Sequence, residues 1–150
     1  MRRAALSIAL AALALACAGA RAAEPADARD ATAGLYARMS ANDLPGVSRY
    51  LPADGFTELS GTTAAPHRLD VAAFAGLFKS GTQVSLRATD VQVQAFGETA
   101  VVTGLRVGTI TPPGAQAVEM ATPFTMVWTR EGERWLLRHV HLSTPAPLAH

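Results

Sequence analysis

The chain has 150 residues with thirteen basic and twelve acidic side chains, a formal net charge of +1, one cysteine and an apolar share of 49%. That length holds one hydrophobic core, and without a lysine or arginine run the chain lacks the electrostatic footprint of a nucleic-acid binder. A lone cysteine excludes an internal disulfide, so packing must carry the stability.

Residues 1–22 read as a secretory signal peptide. Arg2 and Arg3 form the positive start, residues 4–16 are apolar, and Ala18, Ala20 and Ala22 supply small residues for cleavage. The apolar run is shorter than the roughly 20 residues that a membrane helix needs. The expectation is an exported protein, periplasmic or secreted, released by cleavage after Ala20 or Ala22. The alternative is lipidation at Cys17, the one route by which this chain would be held at a membrane; a lipoprotein signal usually has leucine three residues ahead of its cysteine, and Leu15 is two ahead. Losing the leader removes Arg2, Arg3 and Arg21 and leaves ten basic against twelve acidic residues, a net charge of about −2. Residues 23–150 then form a single domain, with 144–150 a flexible tail.

The expected elements run helices first. Residues 26–40 favour a helix, with Leu35, Tyr36 and Met39 at helical spacing. A shorter helix follows, capped by Asp43, tolerating Pro45 in its first turn and stopped by Pro52. Residues 55–60 suggest a short strand, and 62–68 a loop. A third helix starts at an Asp70 cap, sets Val71, Phe74, Leu77 and Phe78 on one stripe and ends at Ser80-Gly81.

After Gly81 the period becomes alternating. Residues 83–96, 99–110, 122–128 and 134–143 read as long strands joined by turns at Gly97-Glu98, Pro112-Pro113-Gly114 and Glu131-Gly132. Residues 117–120 begin one of these strands, and Pro123, which cannot donate to a ladder, suggests a break or bulge there. With Arg130 and Glu133 flanking the last turn, Trp128 is expected opposite Trp135, Met126 opposite Leu137, Phe124 opposite His139 and Thr122 opposite His141. Both faces of the meander are partly apolar. Three helices can cover one face, which leaves the other for a second subunit related by a two-fold axis, hence an expected homodimer.

Helix, helix, short strand, helix and antiparallel meander, together with Gly97 to Gly104 (GETAVVTG) and Arg130 to Ser143 (REGERWLLRHVHLS), resemble the SnoaL-like branch of the nuclear transport factor 2-like superfamily. Residues 41–61 are similar to that family's early helix and strand. The resemblance implies an α+β, cone-shaped fold, a curved antiparallel sheet of four to six strands packed against three N-terminal helices. It also implies a pocket between sheet and helices, and a dimer through the open sheet face. It does not choose among isomerase, cyclase, dehydratase, carrier and assembly roles, because one scaffold hosts them all.

The candidate site residues follow from chemistry. His139 and His141 share a strand face and can move a proton near neutral pH; with Tyr50 or Asp54 they would form a catalytic set. Tyr36, Glu58 and Asp90 are the other parts available for carboxylate and oxyanion chemistry. Phe124, Met126, Trp128 and Trp135 would line an apolar ligand site, and Arg106 or Arg138 would clamp a carboxylate unless paired with an acid. No metal or cofactor is implied, since His-x-His has no third ligand in view and no cofactor loop is present. The leading expectation is a domain that binds a small apolar or aromatic ligand, with or without turnover. A proton-transfer isomerase, cyclase or dehydratase and a purely structural dimerisation module are the alternatives.

Overall fold

Asp27 opens the first helix, α1 (Ala28–Ser40), because its carboxylate accepts from the backbone amides of Arg29 and Asp30 at 2.8 and 3.0 Å. The structure is a computed structural model, and it describes residues 27–61, 63 and 65–144. The expected leader, with Cys17, and the tail beyond Thr144 lie outside these residues. Ala28, Ala31, Leu35 and Tyr36 form the buried stripe of α1. Asp43 caps α2 (Leu44–Ser48) through Gly46 N–H at 2.9 Å, and its other oxygen takes the Arg38 guanidinium at 3.0 Å, which clasps the two helices. Asp70 caps α3 (Val71–Lys79) through Ala73 N–H at 3.1 Å, as expected.

Six strands follow or intersperse these helices: β1 (Phe56–Ser60), β2 (His67–Leu69), β3 (Gln83–Phe96), β4 (Thr99–Thr111), β5 (Val118–Glu131) and β6 (Arg134–Leu142). They form one sheet in the order β2-β1-β6-β5-β4-β3, antiparallel throughout except where β1 runs parallel to β6. The expected α+β cone, a curved and unclosed sheet with helices against its inner side, is the fold observed.

Three expectations are corrected. The segment expected as a loop contains β2, which pairs with Phe56 to Glu58 of β1; three residues are too few to show alternation. Pro123 does not break β5, whose pairing with β4 runs unbroken through Leu105↔Pro123. The carbonyl of Pro123 accepts from Ser143 N–H at 2.9 Å, so its imino nitrogen also faces the β6 side, just past the end of that strand, where its missing donor leaves the β4 ladder intact.

The third correction is the hairpin register. The turn is Gly132-Glu133, one residue later than expected, with Gly132 at φ 62° and Glu131 opposite Arg134. Positive φ at the first central residue is the II′ pattern, which suits the twist of a hairpin. Arg138 is then an extra residue, since Trp128 faces Leu137 while Val127 faces His139. Met126 therefore lies opposite Val140, Phe124 opposite Leu142 and Thr125 opposite His141. The bulge exchanges the two faces. Trp135 and Leu137 point inward before it, and Val140 and Leu142 after it, so His139 and His141 stand on the outer face.

A second bulge, at Asp90 with φ 54°, bends β3. Gly108, at φ 134°, lets β4 approach β3 so closely that a Cβ there would collide with the Ser85 carbonyl. Ser40 Oγ accepts from Leu86 N–H at 2.9 Å and donates to Leu86 O at 3.1 Å, pinning the end of α1 to edge strand β3. The core lies on the concave side. Val84, Leu86, Ala100, Val102, Phe124, Met126, Trp128, Leu137 and Val140 pack there against α1.

Candidate functional site

At the end of the cone away from the Gly132 turn, the concave face is hollow. A cavity of about 310 Å³ opens between the ends of β1 and β6 and the starts of β5, walled by Glu58, Ser60, Arg106, Met120, Thr122 and Leu142, with Ser143 and Thr144 at its rim. Glu58, Arg106 and Leu142 also bound a smaller inner chamber of about 40 Å³, whose other walls include Tyr36, Phe56, Phe74 and Met126. The mouth therefore carries hydroxylic and charged side chains among apolar surface, and the chamber is more apolar still.

Local sequence explains each polar wall. Glu58 follows Phe56 by two residues, so the alternation that buries Phe56 turns the Glu58 carboxylate inward as well. Arg106 has the same parity as Ala100 and Val102, the buried face of β4. Tyr36 belongs to the α1 stripe and is only 2% exposed, its ring edge against Phe124 at 6.1 Å between centroids.

Among the described residues the buried Tyr36 hydroxyl and Arg106 Nε have no hydrogen-bond partner; the indole N–H groups of Trp128 and Trp135 also lack one, but neither tryptophan walls these hollows. A buried donor left unsatisfied costs on the order of 1–3 kcal/mol. Burial pushes the Tyr36 phenol well above its ordinary value; the Arg106 guanidinium pulls it partly back and the Glu58 carboxylate adds to the rise. Arg106 makes one weak polar contact, from Nη2 to Met120 Sδ at 4.0 Å, and no ion pair among the described residues. Arg138, its counterpart in the sequence reading, is neutralised: it donates to Thr129 Oγ1 at 2.8 Å and pairs with Glu131. Glu58 has His67 Nε2 at 3.7 Å from Oε1. Two donors without acceptors and one carboxylate thus converge on a single hollow. This arrangement can hold an oxygen acceptor or stabilise an oxyanion, with a proton acceptor beside it.

The residues singled out from sequence are scattered. Arg106 and Met126 reach the cavity walls. Phe124, Trp128 and Trp135 are buried in the core, Trp128 edge-on to Tyr50 at 6.2 Å. Tyr50 rests its hydroxyl against Gly34 of α1. Asp54 is on the surface with Arg68 at 3.4 Å. His139 meets Thr57 Oγ1 through Nδ1 at 2.7 Å on the outer face, and His141 is exposed there. Tyr36 and Glu58, which the sequence offers for carboxylate and oxyanion chemistry outside the expected catalytic set, are walls of the inner chamber. The readable signal was a glutamate on the inward side of a strand that begins with a buried phenylalanine.

Among the described residues, no three histidine, cysteine, aspartate or glutamate side chains gather as a metal site, and no helix is long and apolar enough to cross a membrane.

A cone-shaped α+β domain, hollow at one end and lined there by Tyr36, Glu58 and Arg106, defines the class. The chain belongs to the SnoaL-like domain family, whose model matches residues 29–147. Among solved structures it is similar to an NTF2-like protein of unknown function in nutrient uptake from Rhodospirillum rubrum, with a TM-score of 0.66, 26% identity and coverage of 80% of this chain and 99% of the other. A ketosteroid isomerase-like protein from Erwinia carotovora atroseptica follows, with a TM-score of 0.63, 16% identity and coverage of 83% and 98%. The association domain of C. elegans CaMKII is also similar, with a TM-score of 0.57, 19% identity and coverage of 73% and 87%. No curated protein matches the sequence significantly.

Proposed function

We propose that this domain is an exported, homodimeric ligand-binding protein, whose cone cavity takes a small molecule by an oxygen acceptor held between Tyr36 and Arg106. One observation carries the reading: two buried donors without protein acceptors are walls of the same chamber. Tyr36 walls only the inner chamber of about 40 Å³, so the oxygen-bearing end of the ligand enters it past Arg106 and the rest of the ligand occupies the wider mouth of about 310 Å³. Substituting Arg106→Met and Tyr36→Phe should abolish stabilisation of the protein by carbonyl- and carboxylate-bearing small molecules in thermal-shift titrations, whereas the double variant His139→Ala, His141→Ala should keep it. Binding that survives loss of Tyr36 and Arg106 would refute the reading.

Proton-transfer chemistry is the second reading, favoured by Glu58 at the same cavity. There Glu58 takes the proton and Tyr36 and Arg106 polarise the carbonyl; the outer-face histidines have no part.

Self-association is supported by the outer sheet face. Val101↔Val127, Leu105↔Pro123 and Val107↔Ala121 lie side by side there, and Phe96, 62% exposed, extends the band at its edge. One solved relative is itself an association domain. Val127→Asp would set like charges across a two-fold axis and weaken the dimer about 100-fold or more. Sedimentation velocity that finds the unsubstituted protein monomeric at micromolar concentration removes the dimer from the proposal. Export is supported by the composition of residues 1–22, and intact mass of the protein recovered outside the cytoplasm distinguishes cleavage at Ala20 or Ala22 from lipidation at Cys17.

A further inference from the structure

We infer that the ligand is a small carboxylate anion and that Glu58 takes up one proton from solvent as the anion binds. The inference rests on the ligand-binding reading above. Arg106 and Glu58 are walls of both hollows, yet no ion pair joins them within 4 Å among the described residues, so a cationic and an anionic group face the same space without pairing with each other, the carboxylate having His67 Nε2 at 3.7 Å instead. A neutral carbonyl would satisfy donors of Tyr36 and Arg106 but leave the guanidinium charge uncompensated. A carboxylate satisfies both donors and the charge.

That anion then lies beside Glu58, and two carboxylates side by side in one pocket disfavour each other's ionisation. The balance is simple: an O–H bond forms on one Glu58 oxygen as the bond to that proton in hydronium or a buffer acid breaks, the buffer is left as its conjugate base, and no other bond changes. Protonated Glu58 becomes a donor, giving the bound anion a third hydrogen bond. The groups that face Glu58 are Tyr36 from α1, Arg106 from β4 and His67 from β2, while its β6 partner, Val140, is apolar. Tyr36 stays neutral, and Arg106 is committed to the incoming anion. His67 opposes uptake only when it is itself protonated.

The test is calorimetric titration of the full protein with two matched pairs, propionate against propionamide and benzoate against benzamide. Each is run at several pH values and in two buffers of different ionisation enthalpy. The expected result is carboxylate affinity at least about tenfold above the matched amide, uptake of close to one proton per anion, and affinity falling about tenfold per pH unit where Glu58 is ionised in the empty protein. Glu58→Gln should bind the same anions with no proton uptake and no such pH dependence. The two-buffer measurement on the unsubstituted protein decides the point even if that variant fails to fold. Equal affinity for acid and amide overturns the charge inference and leaves the pocket reading standing. Carboxylate binding without proton uptake overturns the role of Glu58. No binding by any of the four overturns this inference and the pocket reading together.

Discussion

Towards the Gly132 turn, strands β4, β5 and β6 send Ala100, Trp128 and Leu137 into the cone, and Trp128 is fully buried with Tyr50 edge-on to it. Towards the other end the same three strands send Arg106, Met120 and Leu142 inward, and a cavity of about 310 Å³ opens among them. The backbone is continuous between the two ends. What differs is volume and polarity: a tryptophan faces an alanine at the closed end and fills the space, whereas at the open end Gly108 faces Met120 and Arg106 faces Thr122. Buried donors without partners among the described residues occur at both ends, the indole N–H groups of Trp128 and Trp135 at the closed one and the Tyr36 hydroxyl and Arg106 Nε at the open one; what sets the open end apart is the hollow that its donors adjoin.

That contrast can be broken by substitution. Trp128→Ala should cost about 3–5 kcal/mol in urea unfolding, because a large side chain is removed from a site with no exposure; a loss below about 1 kcal/mol would mean the closed end is not the stabilising one. The next effect is on pH. The folded protein holds the Tyr36 proton more tightly than the unfolded chain, so the stability this confers is complete below about pH 10 and is lost as pH rises beyond it, by about 1.4 kcal/mol per pH unit. Tyr36→Phe should remove that share of the alkaline slope, measured as the difference between variant and parent midpoints from pH 9 to 11. An unchanged slope would show that the phenol is not shut away from water.

Arg106→Met should raise stability by about 1 kcal/mol, the opposite sign to Trp128→Ala, since it replaces a half-buried cation lacking an acidic partner with an apolar chain. A clear loss would mean that Arg106 serves the fold rather than the cavity. The smallest effect is expected at Glu131→Ala, which breaks the pair with Arg138 on the outer surface and should change the unfolding midpoint by less than about 1 kcal/mol.

Much of the fold was legible because its signals are short. The carboxylates of Asp43 and Asp70 cap their helices through amides three residues on, and the stripe of α3 and the alternation of β3 to β6 span single elements. The site was less legible. Arg106 and Arg138 look alike in the sequence, each an arginine in an apolar strand, and only their neighbours separate the paired one from the free one. The hairpin misled because one added residue, Arg138, reverses the parity of everything after it. Two histidines that share a strand face with each other thereby leave the cavity for the outer surface.

By itself the amino-acid order determined the helix caps, the strand periods, the glycine turn and membership of a cone-shaped class, because these depend on contacts within a few residues. The tertiary structure alone decided which side chains meet. Tyr36, Glu58 and Arg106 come from a helix, a short strand and a long one, and they converge because bulges and a glycine curve the sheet around α1. Tyr36 and Arg106 stand out as a candidate site because the hollow they wall offers them no acceptor among the described residues, and a missing partner is a property of the assembled interior that no local pattern encodes.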